Sequence, residues 1–385
     1  MLLPRVVSQF AWLALLLVLS AGGTPGPAPN HARGAELQRF TATERHMGMS
    51  VRVVLYAPSA DEAQAGFAAV FGTFARLNQV FSDYLPDSEL MRLCKTANAQ
   101  PGTAVSVSAD LFRIITLGQQ LSRQTEGAFD VTIGPLTQLW RKSKRTRALP
   151  APEVLEQAKA ALGYKKLLLD PRQEAVTFLR GDLRLDLGGI AVGYTIDQAL
   201  AELKKLGIER AMIDASGDIG CSGPPPGQTG WRIGLTPLDP EAPANRYVRL
   251  AHGAITTSGD AFQSITIDGT RYSHIVDPAT GLGCTRWSAT TVIARDCVTA
   301  DSLATAISVL GPERGLPLLS KYPGTEAVLL VGPATGQPTP DHSSPSLENS
   351  SASSAQSAQS PRVVEYFSSG LQKLLEEPTL APADK

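Results

Sequence analysis

Hydrophobic residues recur every three or four positions in several stretches of the chain, and this spacing predicts amphipathic helices. The clearest example covers residues 61–81, and a second helix follows Ser108, whose hydroxyl suits an N-cap. Further helices are predicted over residues 153–162, 191–206 and 299–310. Short apolar runs predict strands over residues 50–57, 183–187, 211–214, 231–235, 247–251, 289–293 and 327–331.

The predicted helices and strands follow one another irregularly, and no segment repeats at a fixed period. A doubly wound parallel sheet would require a regular strand–helix–strand order, which this pattern lacks. The pattern therefore favours an α+β fold.

Residues 1–23 have the pattern of a secretory signal peptide. Arg5 precedes an apolar run over residues 10–19, and small residues follow it. This run is shorter than the ~20 residues of a membrane-spanning helix, although an uncleaved anchor remains the alternative. No cysteine follows it, so a lipoprotein anchor is not expected. We expect an exported protein, in a periplasm or on the outer face of the cytoplasmic membrane.

Two further segments differ in composition from the body of the chain. Residues 24–39 are rich in Pro, Gly and Ala and predict a flexible connector. Residues 336–361 consist mostly of Ser, Ala, Gln and Pro, which predicts a disordered insertion. Residues 362–385 form a C-terminal segment and tail, and residues 363–375 regain apolar character.

The charge balance and the cysteines exclude two classes of function. With 35 Lys and Arg against 36 Asp and Glu, the net charge of −1 argues against nucleic-acid binding. The cysteines are too widely spaced for a zinc site, and their pairing stays open: Cys94, Cys221, Cys284 and Cys297.

Two segments are candidates for binding phosphate and a metal ion. Residues 186–197 read as the end of a strand, a glycine pair and the start of a helix, where phosphates often bind. Any tight strand–helix turn could have the same pattern. Asp301 and Thr305 lie four residues apart on one helix face and could hold Mg²⁺ through oxygen. Asp301 could instead only interact with the helix dipole.

Other clusters are more ambiguous. His274 and Asp277 lie in a turn beside a strand, which suits proton transfer, although a lone histidine is often structural. Phe129 could line a pocket for a ring or belong to the core. Residues 256–260 read as a polar turn, and residues 141–147 as a solvated basic loop.

In their order along the chain, these motifs resemble those of the ApbE family, the FAD:protein FMN transferases. The resemblance covers residues 40–335, which we expect to form one flavin transferase domain. The segments that carry it are 46–50 (HMGMS), 82–88 (SDYLPDS), 127–130 (GAFD), 186–194 (DLGGIAVGY), 217–219 (GDI), 257–259 (TSG), 274–281 (HIVDPATG) and 300–305 (ADSLAT).

The resemblance implies an α+β fold of mostly antiparallel or mixed sheets with packed helices. It implies Mg²⁺-dependent transfer of FMN from FAD to a Thr or Ser hydroxyl of a target protein, with release of AMP. The acceptor is then another protein, and a membrane-associated redox protein is one candidate. The alternatives are a Mg²⁺-dependent FAD pyrophosphatase and a non-catalytic FAD-binding protein.

The resemblance also implies roles for individual residues. His274 would act as the base, and Asp277 would orient it or contact the turn. The metal would be held by Asp301, Thr305 and a backbone oxygen near Gly189. The residues expected to contact FAD are Met47, Tyr84, Ala128, Phe129, Asp130, Asp186, Val192 and Ile275. The chain departs from the family pattern at Val192, where Lys or Glu is common, and at Ser216, where Gly is common.

Overall fold

The computed structural model describes residues 36–239, 242–259, 263–333 and 363–376. The helices in these ranges are α1 Ala60–Phe81, α2 Glu89–Ala99, α3 Ala109–Gln124, α4 Gly134–Thr146, α5 Pro152–Ala161, α6 Ala191–Lys205, α7 Cys297–Leu310 and α8 Pro312–Gly315. The strands are β1 Gln38–His46, β2 Met49–Ala57, β3 Ala104–Ser106, β4 Leu167–Asp170, β5 Ala175–Phe178, β6 Ala211–Ala215, β7 Asp218–Ser222, β8 Trp231–Gly234, β9 Tyr247–Leu250, β10 Gly253–Gly259, β11 Ser264–Ile267, β12 Thr270–Ser273, β13 Ser288–Ala294, β14 Glu326–Val331 and β15 Val364–Phe367.

The main sheet has eight strands in the order β1-β2-β6-β7-β10-β13-β14-β15. Every neighbouring pair in it is antiparallel. The fold is therefore α+β with antiparallel sheets, as the sequence predicts.

Both faces of the main sheet are covered, and the residues of β2 show how. Val53 and Leu55 belong to the larger core, which they share with the apolar stripes of α1, α6 and α7. Val54 points to the other face and packs in a second core with residues of β8 and β9. Because both faces are buried, an unbroken apolar run such as residues 53–55 fits this strand.

Smaller units flank the main sheet. Strands β3, β5 and β4 form a three-stranded sheet. The ribbon of β11 and β12 packs on α4, where Trp140 meets Tyr272 in an edge-to-face arrangement with 5.4 Å between the ring centroids. These contacts place the ribbon and the residues after it beside α4.

Four sequence predictions about individual elements are wrong. Residues 183–187 form no strand, because their backbone bonds to α2 and to a loop: Leu183 N–H donates to the Asn98 side chain and Asp186 N–H to the Val131 carbonyl. Residues 256–259 belong to β10 rather than to a turn. Residues 141–146 lie in α4 rather than in a loop. The connector predicted over residues 24–39 is too long, because Gln38 and Arg39 belong to β1.

Other predictions are confirmed or fall outside the described residues. Helices α1, α3, α5, α6 and α7 agree with the predicted ranges within about two residues at most ends. The residues 363–375 do return to the body, since β15 pairs with β14. The signal peptide, most of the connector and the insertion over 336–361 lie outside the described residues, although Gln38 and Arg39 of the connector belong to β1.

All four cysteines are free thiols, and Cys94, Cys221 and Cys297 are buried. Within the described part of the chain, no helix combines the length and the apolar character that a membrane crossing requires.

Candidate functional site

The glycines of the segment 186–193 allow two helices and a loop to meet closely. A Cβ atom on Gly189 would lie 3.2 Å from Phe129 Cε2 and from Thr305 Oγ1. A Cβ atom on Gly193 would lie 2.3 Å from the Cys297 carbonyl oxygen and could not fit. The start of α6 is therefore pressed against α7 and against the loop that carries Phe129.

The three residues expected to hold a metal come together at this point. The backbone N–H of Gly193 donates to Asp301 Oδ2 over 3.0 Å, and Asp301 is only 6% exposed. The Thr305 hydroxyl lies one helical turn later and 3.3 Å from Ser258 Oγ of β10. Gly189 adjoins the same hydroxyl, and Asp301 lies one turn earlier on the same helix, so all three residues belong to the contact between the start of α6 and α7.

Three carboxyl groups interact at this place, those of Asp197, Asp218 and Asp301. Burial and the charge of Asp197 raise the pKa of Asp301 to about 7. Burial and the charge of Asp301 raise the pKa of Asp218, at the start of β7, well above its usual value. Sequence reasoning gave Asp218 no role, although it lies in the Gly-Asp-Ile motif. A cation would relieve the repulsion between these carboxylates.

The donors fit a hard cation better than zinc. They are oxygens, and within the described residues no three His, Cys, Asp or Glu side chains cluster as a metal site. Mg²⁺ commonly takes one or two carboxylates and completes its coordination with water and phosphate oxygens. The residues present therefore fit Mg²⁺ accompanied by a phosphate-bearing ligand.

Phe129 and Asp130 lie in a loop after α3 that borders the same place. Phe129 is 7% exposed and packs on Gly189. The carboxylate of Asp130 accepts from the Thr132 N–H and hydroxyl over 2.8 and 2.7 Å, and from the Tyr164 N–H over 3.0 Å. Burial raises the pKa of Asp130. These bonds hold the loop in shape, and Ala128 lies half-buried within it.

Arg141 of α4 joins two of the predicted flavin contacts. Its guanidinium bonds to Asp83 Oδ2 and, over 3.2 Å, to Asp186 Oδ2. The guanidinium carbon also lies 4.0 Å from the centre of the Tyr84 ring. The Thr137 hydroxyl donates to Asp186 as well, over 2.7 Å. The prediction of a solvated loop over residues 141–147 missed this residue. In a segment with so many basic side chains, the sequence does not show which one forms partly buried ion pairs.

The Tyr84 ring is held from one side and open on the other. It is 73% exposed even though Arg141 stacks on it. Tyr side chains are enriched at binding surfaces, because they combine an apolar ring with a polar hydroxyl. An isoalloxazine or adenine ring could stack on such a surface.

His274 is positioned by a different element, the β11–β12 ribbon. Its side chain is exposed, and its backbone N–H donates to the Gln263 carbonyl over 2.9 Å. The Trp140 indole donates to the carbonyl of Ser273 over 3.0 Å. Helix α4 therefore anchors the residue before His274 and also carries Arg141.

The neighbours of His274 belong to the turn that follows. Asp277 Oδ1 accepts from the Ala279 N–H over 2.8 Å, and the Asp277 carbonyl accepts from the Gly281 N–H over 2.8 Å. Of the two roles expected for Asp277, this geometry supports contact with the turn. Ile275 is 9% exposed and packs inward.

Met47 lies beside the first turns of α6, and Val192 belongs to the first turn. Met47 occupies a two-residue hairpin turn with φ +49°, and its sulfur lies 4.0 Å from the Thr195 hydroxyl. Val192 is 9% exposed and belongs to the larger core. A buried valine offers no polar atom to a phosphate or a ring, so any contribution of this position to flavin binding is apolar.

Comparison with known proteins agrees with the motifs. The model of the ApbE family matches residues 47–329. The chain is 32% identical over 254 residues to the FAD:protein FMN transferase of Haemophilus influenzae, covering 64% of this chain and 72% of that protein. It is 34% identical over 244 residues to that of Vibrio cholerae, covering 62% and 72%.

Solved structures show the same architecture. The flavin transferase ApbE from Vibrio cholerae matches with a TM-score of 0.72 and 26% identity, covering 88% of this chain and 100% of that one. The ApbE protein from Thermotoga maritima matches with a TM-score of 0.67 and 30% identity, covering 76% and 94%. With the family model matching most of its length, this chain belongs to the ApbE family.

Proposed function

We propose that this protein is an FAD:protein FMN transferase, which moves FMN from FAD to a Thr or Ser hydroxyl of an acceptor protein. The hydroxyl oxygen forms a bond to the phosphorus of the FMN half, and the bond to the bridging pyrophosphate oxygen breaks. AMP leaves, and the hydroxyl proton passes to a base. The observation that carries this proposal is the convergence of Gly189, Asp301 and Thr305 at the start of α6.

Three groups would hold Mg²⁺ at that place: the Asp301 carboxylate, the Thr305 hydroxyl and the backbone oxygen of Gly189. When bound, Mg²⁺ neutralises negative charge on the pyrophosphate oxygens. The buried site supports this role, because the charge of Asp301 raises the pKa of Asp218, and a bound cation would favour the ionised form of both carboxyl groups. The amides at the start of α6 provide additional positive potential for phosphate.

The rings of FAD would lie along the surfaces that flank the metal place. Tyr84 presents an open ring supported by Arg141, and Phe129 borders Gly189. Asp186 is held in place by Arg141 and Thr137. The remaining expected contacts are Met47, Ala128, Asp130, Val192 and Ile275.

His274 is the proposed base. A hydroxyl is a poor nucleophile near neutral pH, and general base catalysis typically contributes ~10²–10⁴-fold. His274 is exposed, which gives a protein acceptor access to it. Asp277 shapes the turn beyond it and acts as a positioning residue.

We also propose that the protein works outside the cytoplasm, in a periplasm or on the outer face of the cytoplasmic membrane. The sequence pattern of residues 1–23 supports this location. An exported flavin transferase would serve exported acceptors, and a membrane-associated redox protein would be one suitable class.

The test follows two products in one reaction. The purified full-length chain is incubated with FAD and Mg²⁺, with or without a peptide that contains a Ser-Gly-Ala-Thr core. We expect AMP release and a peptide heavier by one FMN, both abolished by EDTA. AMP without a peptide adduct would identify a pyrophosphatase, and intact FAD under binding conditions would overturn both enzymatic readings.

A matched pair of variants tests the metal place. Asp301→Asn removes one ligand charge and should lower the rate of AMP release at least about a hundredfold. Asp268→Asn is the control, because Asp268 is exposed and lies in the turn between β11 and β12. Its φ of +48° is one that asparagine adopts readily. Equal rates for both variants would contradict the assignment of Asp301.

A further inference from the structure

A cavity of about 600 Å³ opens beside the C-terminal half of α6. Its walls come from α6, the segment before β6, the end of β7, the start of β10 and the residue after β13. The lining residues that matter here are Leu200, Lys204, Ile208, Arg210, Ser222 and Arg295.

This cavity lies at the opposite end of the elements that build the flavin site. Helix α6 begins beside Asp301, and Lys204 follows Ala191 by thirteen residues, about 20 Å along a helix. Strand β10 contacts Thr305 through Ser258, whereas Gly253 at its other end lines the cavity. The cavity is therefore a separate place on the molecule.

The cavity carries an excess of positive charge. Lys204, Arg210 and Arg295 line it, and Glu209 is the acidic residue in its wall. In the described part of the chain, none of the three cations forms an ion pair. Arg210 donates to the Pro224 carbonyl over 2.6 Å, which fixes its guanidinium in the wall.

Capping of the helix does not account for Lys204. Lysines at a helix C-terminus often satisfy the last carbonyls. Here the backbone amides already do so, since Leu206 donates to Glu202, Gly207 to Lys204 and Ile208 to Leu203. The ammonium group of Lys204 is thus available to a ligand.

The other walls of the cavity suggest the rest of the ligand. Leu200, Ile208 and Pro224 supply apolar surface. The Ser222 hydroxyl is buried and has no hydrogen-bond partner among the described residues. A buried polar atom without a partner is costly, but this oxygen exposes almost no surface to the cavity, so a ligand could bond to it only after a small shift of the wall.

We propose that this cavity binds a small phosphate monoester with an apolar or aromatic body. A phosphate dianion matches several cations better than a single carboxylate does, and arginine forks suit its oxygens. The volume falls within the ~300–1,000 Å³ of small-molecule sites. This proposal does not depend on the transferase activity.

Calorimetric titration of the full-length chain with phenyl phosphate, in EDTA and at low ionic strength, tests the proposal. We expect saturable binding that Arg295→Gln weakens by about tenfold or more. Arg314→Gln is the control, because it removes the same charge from an exposed residue of α8 that does not line the cavity. It should change the affinity less than about twofold.

Several results would overturn the proposal. Absence of binding at about 10 mM phenyl phosphate would do so, as would equal loss in both arginine variants. Benzyl alcohol that binds as tightly as phenyl phosphate would show that the anion is not recognised. Vesicles of acidic phospholipid that bind the chain through Arg295, without phenyl phosphate binding, would assign the surface to a membrane. Asp301→Asn should leave the binding intact, and its loss there would place the ligand in the flavin site.

Discussion

Arg141 shows how one side chain can link residues that lie far apart in the sequence. Its guanidinium bonds to Asp83 and Asp186 and stacks on Tyr84. Burial raises the pKa of Asp83, so this pair of carboxylates needs a permanent cation between them. Lysine has the same charge but cannot form two directed bonds and a planar stack at once.

Arg141→Lys should therefore raise KM for FAD by about tenfold while kcat changes little. The substitution would loosen Asp186 and Tyr84, which are proposed to contact FAD, without removing the proposed base or metal ligands. Steady-state kinetics of AMP release with varied FAD measures both constants. Arg145→Lys, an exposed position on the same helix, is the control. An unchanged KM, or a fall in kcat alone, would show that Arg141 does not position the flavin surface.

Asp197 shows that burial can outweigh good hydrogen bonds. Its two carboxylate oxygens accept from the Cys297 and Val298 N–H groups over 2.8 and 2.9 Å, yet burial raises its pKa to about 7. In the unfolded chain this pKa is about 3.9, so the folded state binds the proton more tightly. The contribution of Asp197 to stability is therefore greatest at acidic pH and falls as the pH rises from about 4 to about 7.

We expect Asp197→Asn to remove this part of the pH dependence. Urea unfolding without metal, at about pH 5 and about pH 8, gives the free energy of unfolding for both proteins. The advantage of the natural protein over the variant should shrink at the higher pH. A difference that stays constant or grows would contradict the raised pKa, and Asp268→Asn should show no such change.

At the scale of elements, the crossing of α6 and α7 is the contact that creates the site. It requires Gly193, because a Cβ atom there would meet the Cys297 backbone. Gly193→Ala should lower the free energy of unfolding by about 1–3 kcal/mol and reduce activity, since Asp301 would shift with α7. Urea unfolding checks the first effect.

Gly72→Ala is the matched control for this prediction. Gly72 lies within α1, and no atom comes within 4 Å of the place its Cβ would take. Alanine there should stabilise the protein by about 0.5–1 kcal/mol, because it lowers the entropy of the unfolded chain. Equal effects of the two substitutions would show that helix propensity, and not the crossing, determines the result.

The elements also show which parts of the fold a sequence can predict. Helices α1 and α3 have regular apolar stripes and serine N-caps, so their ends were predictable. Helix α4 was missed because its second half is basic and only a few of its positions, such as Trp140, are buried. The segment 183–187 has the composition of a strand, but its backbone bonds to side chains of α2 and to a loop, which only the tertiary structure reveals.

The same distinction applies to the site. Asp301, Thr305 and Gly189 lie in local motifs, and the structure brings them together. The link from Arg141 to Asp83 and Asp186 spans 58 and 45 residues of sequence, so no local pattern could reveal it. The proposed role of His274 stays a prediction that the kinetics of its variants can test.

At the scale of the whole molecule, the last strand forms one edge of the main sheet. Strand β15 pairs with β14, and Leu371 behind it is fully buried. Glu365 forms an ion pair with Arg246, and Glu376 pairs with Arg232 and Arg249. Residues 363–376 are therefore part of the folded body.

Leu371→Ala should lower the free energy of unfolding by about 2–5 kcal/mol, because it leaves a cavity in the second core. Leu374→Ala, at a side chain that is 37% exposed, should cost much less. Chemical unfolding of both variants makes the comparison. A similar loss for the two would show that this segment is only loosely attached.

The pairing of β15 with β14 determines how a chain that ends too early would behave in the cell. A chain that stops before residue 364 would keep every residue of the proposed flavin site but leave the hydrogen-bonding edge of β14, with Val328 and Leu329, unpaired. Open, apolar sheet edges pair with other chains and aggregate. Truncated chains would therefore tend to aggregate, whereas full-length chains would stay available for catalysis.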